Sequence, residues 1–250
     1  MPNSFFIRPF RPTIILMFLF VSVAFLLIHS CKREFSVERQ GRLPVEILDG
    51  VLGTANLQGF IFDENYLPVA GATVKVGTYA VVTNSYGIFF FSNISTSLHN
   101  TVITVDKPGY FRQVKSMMVM EGKDNFIKAQ LIPKVLVKTV EASLGGEVAL
   151  SSGAKLILPT SAMVDKKNGT PYNGKVNVYM AWMDPSQYNV LYQMPGDLRG
   201  VTQEDNERML ITYGMLKVEL ESESNQPLQL AANKKASLTF PVPSALQTDA

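Results

Sequence analysis

The residues that could do chemistry here are few. The 250-residue chain has one cysteine, Cys31, and two histidines, His29 and His99. A single thiol allows no internal disulfide and no cysteine-based zinc site, which needs several such ligands. His29 lies in an apolar N-terminal segment, so the remainder carries only His99, in a Leu-His-Asn turn, and cannot build a two-histidine centre. Carboxylates gather in one stretch: Asp184, Asp197, Glu204, Asp205 and Glu207. Two of them could hydrolyse a glycosidic bond if they faced each other across roughly 5 to 9.5 Å. Asp197 with Glu204 and Asp205 could equally offer Ca²⁺ its oxygen ligands. The plainer reading is a solvated acidic loop, and no residue is assigned a catalytic or metal-binding role. Aromatic residues crowd the same region, and Trp182, Tyr188 and Tyr192, with Asp197, form a candidate ligand-binding loop. The alternative is that Trp182 ends a core strand and the two tyrosines cover its rim. No cofactor is expected.

The cysteine sits at a particular place. Arg8 and Arg11 precede a stretch from Thr13 to Ile28 that is apolar apart from Ser22, and Cys31 follows two residues later. The run is shorter than the ~20 residues that a permanent span requires. Residues 1–30 therefore read as a secretion signal. Ile28-His29-Ser30-Cys31 resembles the lipobox of bacterial lipoproteins. That resemblance implies cleavage before Cys31, acylation of its thiol and a membrane-anchored protein of the cell envelope, at the outer membrane. Each buried methylene of such chains contributes about 0.8 kcal/mol, so several chains make a stable anchor in the bilayer. Residues 31–55 then read as a tether. Taking Arg8 and Arg11 from the 23 Lys and Arg leaves 21, equal to the 21 Asp and Glu, all of which follow residue 30. A neutral chain without like-charge runs has no nucleic-acid footprint.

The elements that must position these residues are strands. From Asn56, short apolar or alternating runs are broken by turn residues every 8 to 12 positions, the pattern of an all-β sandwich. Seven strands are expected: Leu57–Phe62, Ala72–Val76, Tyr79–Thr83, Ile88–Phe91, Thr101–Val105, Arg112–Val119 and Asn125–Ile132. Ile88–Phe91 is apolar throughout, which suits a strand buried on both faces. Met117, Met118 and Met120 read as core filling. Gly59-Phe-Ile-Phe-Asp63, Leu67-Pro68-Val-Ala-Gly71, Thr83-Asn84-Ser-Tyr-Gly87 and Lys107-Pro-Gly109-Tyr110 together resemble the carboxypeptidase regulatory-like domain. The resemblance covers residues 56–133 and implies a seven-stranded, transthyretin-like β-sandwich in which these are structural residues. Pro68 presets a turn, Gly71 frees the start of the next strand, and Gly87 closes a tight turn at positive φ. Asn84 stands where the family often has aspartate and keeps the side-chain cap. Tyr110 is expected to lay its ring over the sheet end with its hydroxyl wet.

Residues 134–250 read as a second β-sandwich. Gly153-Ala154-Lys-Leu-Ile-Leu158-Pro159-Thr-Ser-Ala162 followed by Gly174-Lys175-Val-Asn-Val178 is similar to ZU5-like and cartilage-intermediate-layer-like sandwiches. Its strands look fewer and less even than those before it, so this sandwich is expected to be incomplete. Asp184 to Arg208 reads as one long loop. The function expected is that of a non-enzymatic binding or structural module at the cell surface or in the periplasm, with a glycan or protein ligand. The alternative is a carbohydrate-binding module or the N-terminal accessory part of a longer envelope hydrolase.

Overall fold

A computed structural model describes residues 51–196, 198–202 and 206–243, and the strands within them belong to one compact unit. The signal segment, Cys31 and most of the tether lie outside the described residues, as do Asp197, Glu204 and Asp205.

Seven strands form two sheets facing each other: β1 (Leu52–Phe62), β2 (Thr73–Val76), β3 (Tyr79–Val82), β4 (Ile88–Ser97), β5 (Thr101–Asp106), β6 (Gln113–Met117) and β7 (Asp124–Gln130). One sheet has the order β4-β1-β7, with β1 antiparallel to β4 and parallel to β7; the other runs β3-β2-β5-β6, all antiparallel. Alternation decides which side chains face inward. Leu57 and Ile61 of β1 meet Val74 and Val76 of β2, Ile103 and Val105 of β5 and Phe89 and Phe91 of β4 in one core. Burying each such side chain contributes roughly 1.5–3 kcal/mol. The first strand begins at Leu52, not Leu57, so the last residues of the expected tether are already sheet.

The turn chemistry matches expectation. Gly87 has φ +70°, and a Cβ there would overlap the Ile61 carbonyl oxygen. Asn84 Oδ1 accepts hydrogen bonds from the backbone N–H groups of Tyr86 and Ile88 at 2.9 and 3.0 Å. Buried Thr83 accepts from the Ala72 N–H and donates to the Val69 carbonyl, which ties the Pro68–Gly71 turn to β3. Two readings fail. Ile88 and Phe90 are 45% and 50% exposed while Phe89 and Phe91 are buried, so β4 has one wet face. Strand β6 ends at Met117, leaving Met118 and Met120 48% and 67% exposed beyond it rather than in the core.

The rest of the chain adds ten strands among the described residues, which overturns the expectation of fewer: β8 (Leu136–Glu141), β9 (Gly146–Ala149), β10 (Lys155–Leu158), β11 (Met163–Asp165), β12 (Lys175–Met183), β13 (Arg199–Val201), β14 (Glu207–Met209), β15 (Met215–Ser222), β16 (Pro227–Leu230) and β17 (Ser237–Thr239). A five-stranded sheet, β11-β16-β15-β12-β8, faces a three-stranded one, β17-β10-β9, around Val148, Leu156, Leu158, Val176, Val178 and Met180. The expected loop from Asp184 to Arg208 is not irregular throughout. It holds a one-turn helix, α1 (Val190–Gln193), and the β13–β14 hairpin.

The two sandwiches share a seam. Phe111 and Ile132, which lie beside the first, pack with Met183 of β12 and Val190 of α1. The segment from Leu191 to Pro195 runs along the free edge of β6, where its carbonyls accept five consecutive sets of hydrogen bonds. Lys115 Nζ donates to the Leu191 and Met194 carbonyls at 2.8 and 2.7 Å. Gln113 Nε2 donates to those of Tyr192 and Gln193, and the Ser116 N–H to that of Pro195. These are the orphan carbonyls of a helix end, satisfied by side chains from a strand nearly eighty residues earlier. Among the described residues no buried side-chain polar atom lacks a partner.

Candidate functional site

Strand β1 has two apolar faces. Leu57 and Ile61 point into the core, whereas Phe60 and Phe62 point the other way, out of the three-stranded sheet. The Phe60 and Phe62 rings lie 5.5 Å apart and nearly parallel, and Tyr66 lies parallel to Phe62 at 5.6 Å. Tyr192, carried by α1, meets Phe62 edge-on at 5.5 Å, and Tyr188 meets Tyr192 at 5.9 Å. Five aromatic rings thus form one ribbon from the middle of β1 to the turn before α1. Phe62 is its buried anchor at 3% exposure; Tyr66 and Tyr188 are its wet surface at 56% and 75%. Across the same face, Gln58 sits between Phe90 of β4 and Phe126 of β7, both about half exposed, and Phe60 sits between Ile88 and Lys128. Four residues of strand at ~3.3 Å each give this face a length of about 13 Å before the tyrosines extend it.

Each ring is held by identifiable means. Tyr66 has φ +63°, a left-handed conformation that is unusual for a bulky residue. Asp63 holds it there by accepting hydrogen bonds at Oδ1 from the N–H groups of Asn65 and Leu67, while the Tyr66 N–H donates to the Asp63 carbonyl. Tyr192 is set by the backbone clamp from Gln113 and Lys115. Gln193 next to it donates to Gln130 Oε1, and Gln130 Nε2 donates to the Asp63 carbonyl, so one chain of amides joins the helix to the Tyr66 turn. The Tyr192 hydroxyl donates to that of Tyr188, which together with burial raises the Tyr192 pKa. Asp184, at the start of the segment, accepts from the Ser186 hydroxyl and N–H, which lowers its carboxyl pKa.

Trp182 is not part of this surface. On β12 it shares the inward face of the second sandwich with Met180, and its ring meets Phe240 at 5.8 Å. The ring also lies so close over Gly214 that a Cβ there would overlap it. Tyr179 and Met183 occupy the opposite face of β12, toward α1. Tyr188 and Tyr192 therefore do not rim Trp182; they belong to the first sandwich's outer sheet. The remaining sequence-predicted residues sit in the scaffold. The Gly59 backbone lies so near Phe89 and β7 that a Cβ would come 2.5 Å from the Ile127 carbonyl. Gly71 and Gly109 have φ +68° and +85°. Pro68 bridges to Phe62, and Tyr110 packs half-buried against the first core and bridges to Pro133. Sequence reasoning missed Phe60, Phe62 and Tyr66 as members of the ribbon. The available signal was a strand with apolar residues on both faces and an aromatic one in the turn beyond it.

The fold is an all-β assembly of sandwiches with an exposed aromatic ribbon on one outer sheet. No protein-family model matches the chain, and no curated protein sequence does. Among solved structures, it is similar to a chain of a type II cohesin–X–dockerin complex from Acetivibrio cellulolyticus, at 16% identity and a TM-score of 0.28 over 34% of this chain and 61% of that one. It is also similar to the Bacillus anthracis TIE protein, at 13% identity and 0.27 over 76% of this chain and 31% of that one. A third is a candidate carbohydrate-binding protein from Bacteroides uniformis, at 8% identity and 0.27 over 76% of this chain and all of that one.

Proposed function

We propose that this protein is a non-enzymatic binding module of the bacterial envelope that takes a glycan on its aromatic ribbon. The observation that carries this is Tyr66. A bulky side chain held at φ +63°, 56% exposed and stacked on Phe62, is a strained and wet arrangement that the fold maintains with a dedicated cap. Flat rings suit the C–H faces of sugars, and Gln58, Lys128 and the tyrosine hydroxyls offer hydrogen bonds at the margin. The double substitution of Tyr188 and Tyr192 by alanine tests it, read by affinity electrophoresis of the protein through gels holding soluble polysaccharides. At about 0.5–1.5 kcal/mol per aromatic contact, the retarding polysaccharide should bind about tenfold or more weakly, while circular dichroism shows the fold retained despite the lost Phe62–Tyr192 contact. Equal retardation of both proteins would refute the ribbon as the site.

Within the same reading, residues 56–133 are a carboxypeptidase regulatory-like domain, a view supported by the positive φ of Gly71 and Gly87 and by the Asn84 cap. Residues 134–250 are the second domain. Cys31 carries the lipid, and residues 31–55 tether the module to the outer membrane. A palmitate analogue should label the wild type in cells and not Cys31→Ala; equal labelling would exclude acylation at that residue.

A further inference from the structure

A cavity lies away from the ribbon, between the two sandwiches. It has a volume of about 680 Å³ and is lined by Tyr110, Asp106 and Arg112 from the first and by Lys166, Glu219, Glu221 and Gln229 from the second. That volume falls within the ~300–1,000 Å³ of small-molecule sites, which favour such junctions between domains. Two of the cations around it are held in ion pairs. Arg112 makes a two-pronged ion pair with Asp106, Nε to Oδ1 at 2.5 Å and Nη2 to Oδ2 at 3.2 Å. Lys134 reaches Glu219 at 2.7 Å and Glu221 at 2.6 Å, with its ammonium 4.7 Å from the centre of the Tyr179 ring. With Lys166, three cations meet three carboxylates around the cavity.

A cavity built this way selects against ions. Lys166 is the cation whose ammonium faces the cavity from an exposed position; to engage Arg112 as well an anion would have to displace Asp106, and a cation would have to displace Lys134 from its two carboxylates. Either exchange strands a partly buried charge. A neutral ligand with many hydroxyls needs no displacement. Carboxylate oxygens and the Gln229 carbonyl accept from hydroxyls, and the guanidinium, the Lys166 ammonium and the Gln229 amide donate to them. Tyr110 forms part of one wall.

We propose that this inter-sandwich cavity is a second binding site, for a neutral saccharide of one or two sugar units, and that it acts independently of the aromatic ribbon. Arg112 and Lys166 are its donors, and Glu219 and Gln229 its acceptors. Arg112 is 62% exposed and Lys166 is exposed, so both tolerate substitution without loss of the fold.

The test uses the full chain with Tyr188 and Tyr192 replaced by alanine, which silences the ribbon. Saturation-transfer NMR then probes neutral disaccharides of glucose, galactose, mannose and xylose, with glucuronic acid and glucosamine as charged probes. At least one neutral disaccharide should receive saturation, and Arg112→Ala or Lys166→Ala should reduce it at least fivefold while the melting temperature holds. No transfer to any neutral disaccharide in this background would overturn the proposal, as would transfer that survives both substitutions or a preference for a charged probe. Failure of the ribbon is read separately, on the chain that keeps its tyrosines.

Discussion

Gly87 and Tyr66 stand at almost the same φ for opposite reasons. At Gly87 the conformation is free only because there is no Cβ, and the Ile61 carbonyl occupies the place where one would sit. Gly87→Val adds both a backbone outlier and a collision with a strand that cannot move without shifting the core. It should destabilise the protein by about 2–3 kcal/mol, seen as a lower denaturant midpoint at unchanged slope; an unchanged midpoint would mean that the turn relaxes freely. The requirement at Gly87 is local, so the Thr-Asn-Ser-Tyr-Gly pattern disclosed it from sequence. The Tyr66 arrangement is not local in that sense. Its turn residues, Asp63 to Asn65, were legible as a turn, but the ring's place on Phe62 depends on how the turn meets a sheet face.

Elements divided along the same line. The seven strands of the first sandwich were legible because inward residues alternate over turn-bounded runs. Strand β4 departs from that rule, since Ile88 and Phe90 are apolar although they face water. Apolar residues on both faces suggest burial, whereas the outward half lies on the exposed aromatic face. Helix α1 gave no periodic signal because it is a single turn with no side-chain cap. What holds it is the edge of β6, where Gln113 and Lys115 donate to the carbonyls of Leu191 to Met194. Those donors are 76 to 80 positions away in the chain, a separation at which no spacing rule operates. Two of the three aromatic residues from the 182–192 stretch lie in the ribbon for this reason, while Trp182, on the far face of β12, packs half-buried against Phe240 and Gly214.

At the scale of the whole molecule, the sandwiches are joined by buried amines as well as by apolar contact. Lys217 of β15 donates to the Arg112 carbonyl at 3.1 Å and to Gln113 Oε1 at 2.5 Å, crossing the seam. Burial lowers its pKa from the usual 10.5 to about 8; nearby Glu219 opposes the shift and the Lys115 ammonium adds to it. The folded protein therefore releases this proton about two and a half pH units before the unfolded chain does. Between pH 8 and 10.5 the unfolded state holds more protons, so stability attributable to Lys217 rises with pH across that window and is lowest below 8. Lys217→Met removes the titrating group but leaves the fully buried Gln113 oxygen without its donor, which costs about 1–3 kcal/mol at every pH. The comparison must then be of slopes and not of levels. Denaturant midpoints measured from pH 7 to pH 10 should climb more steeply, or fall less, for the wild type than for Lys217→Met. Parallel profiles would mean that Lys217 reaches solvent in the folded state, and that the seam opens enough to hydrate it.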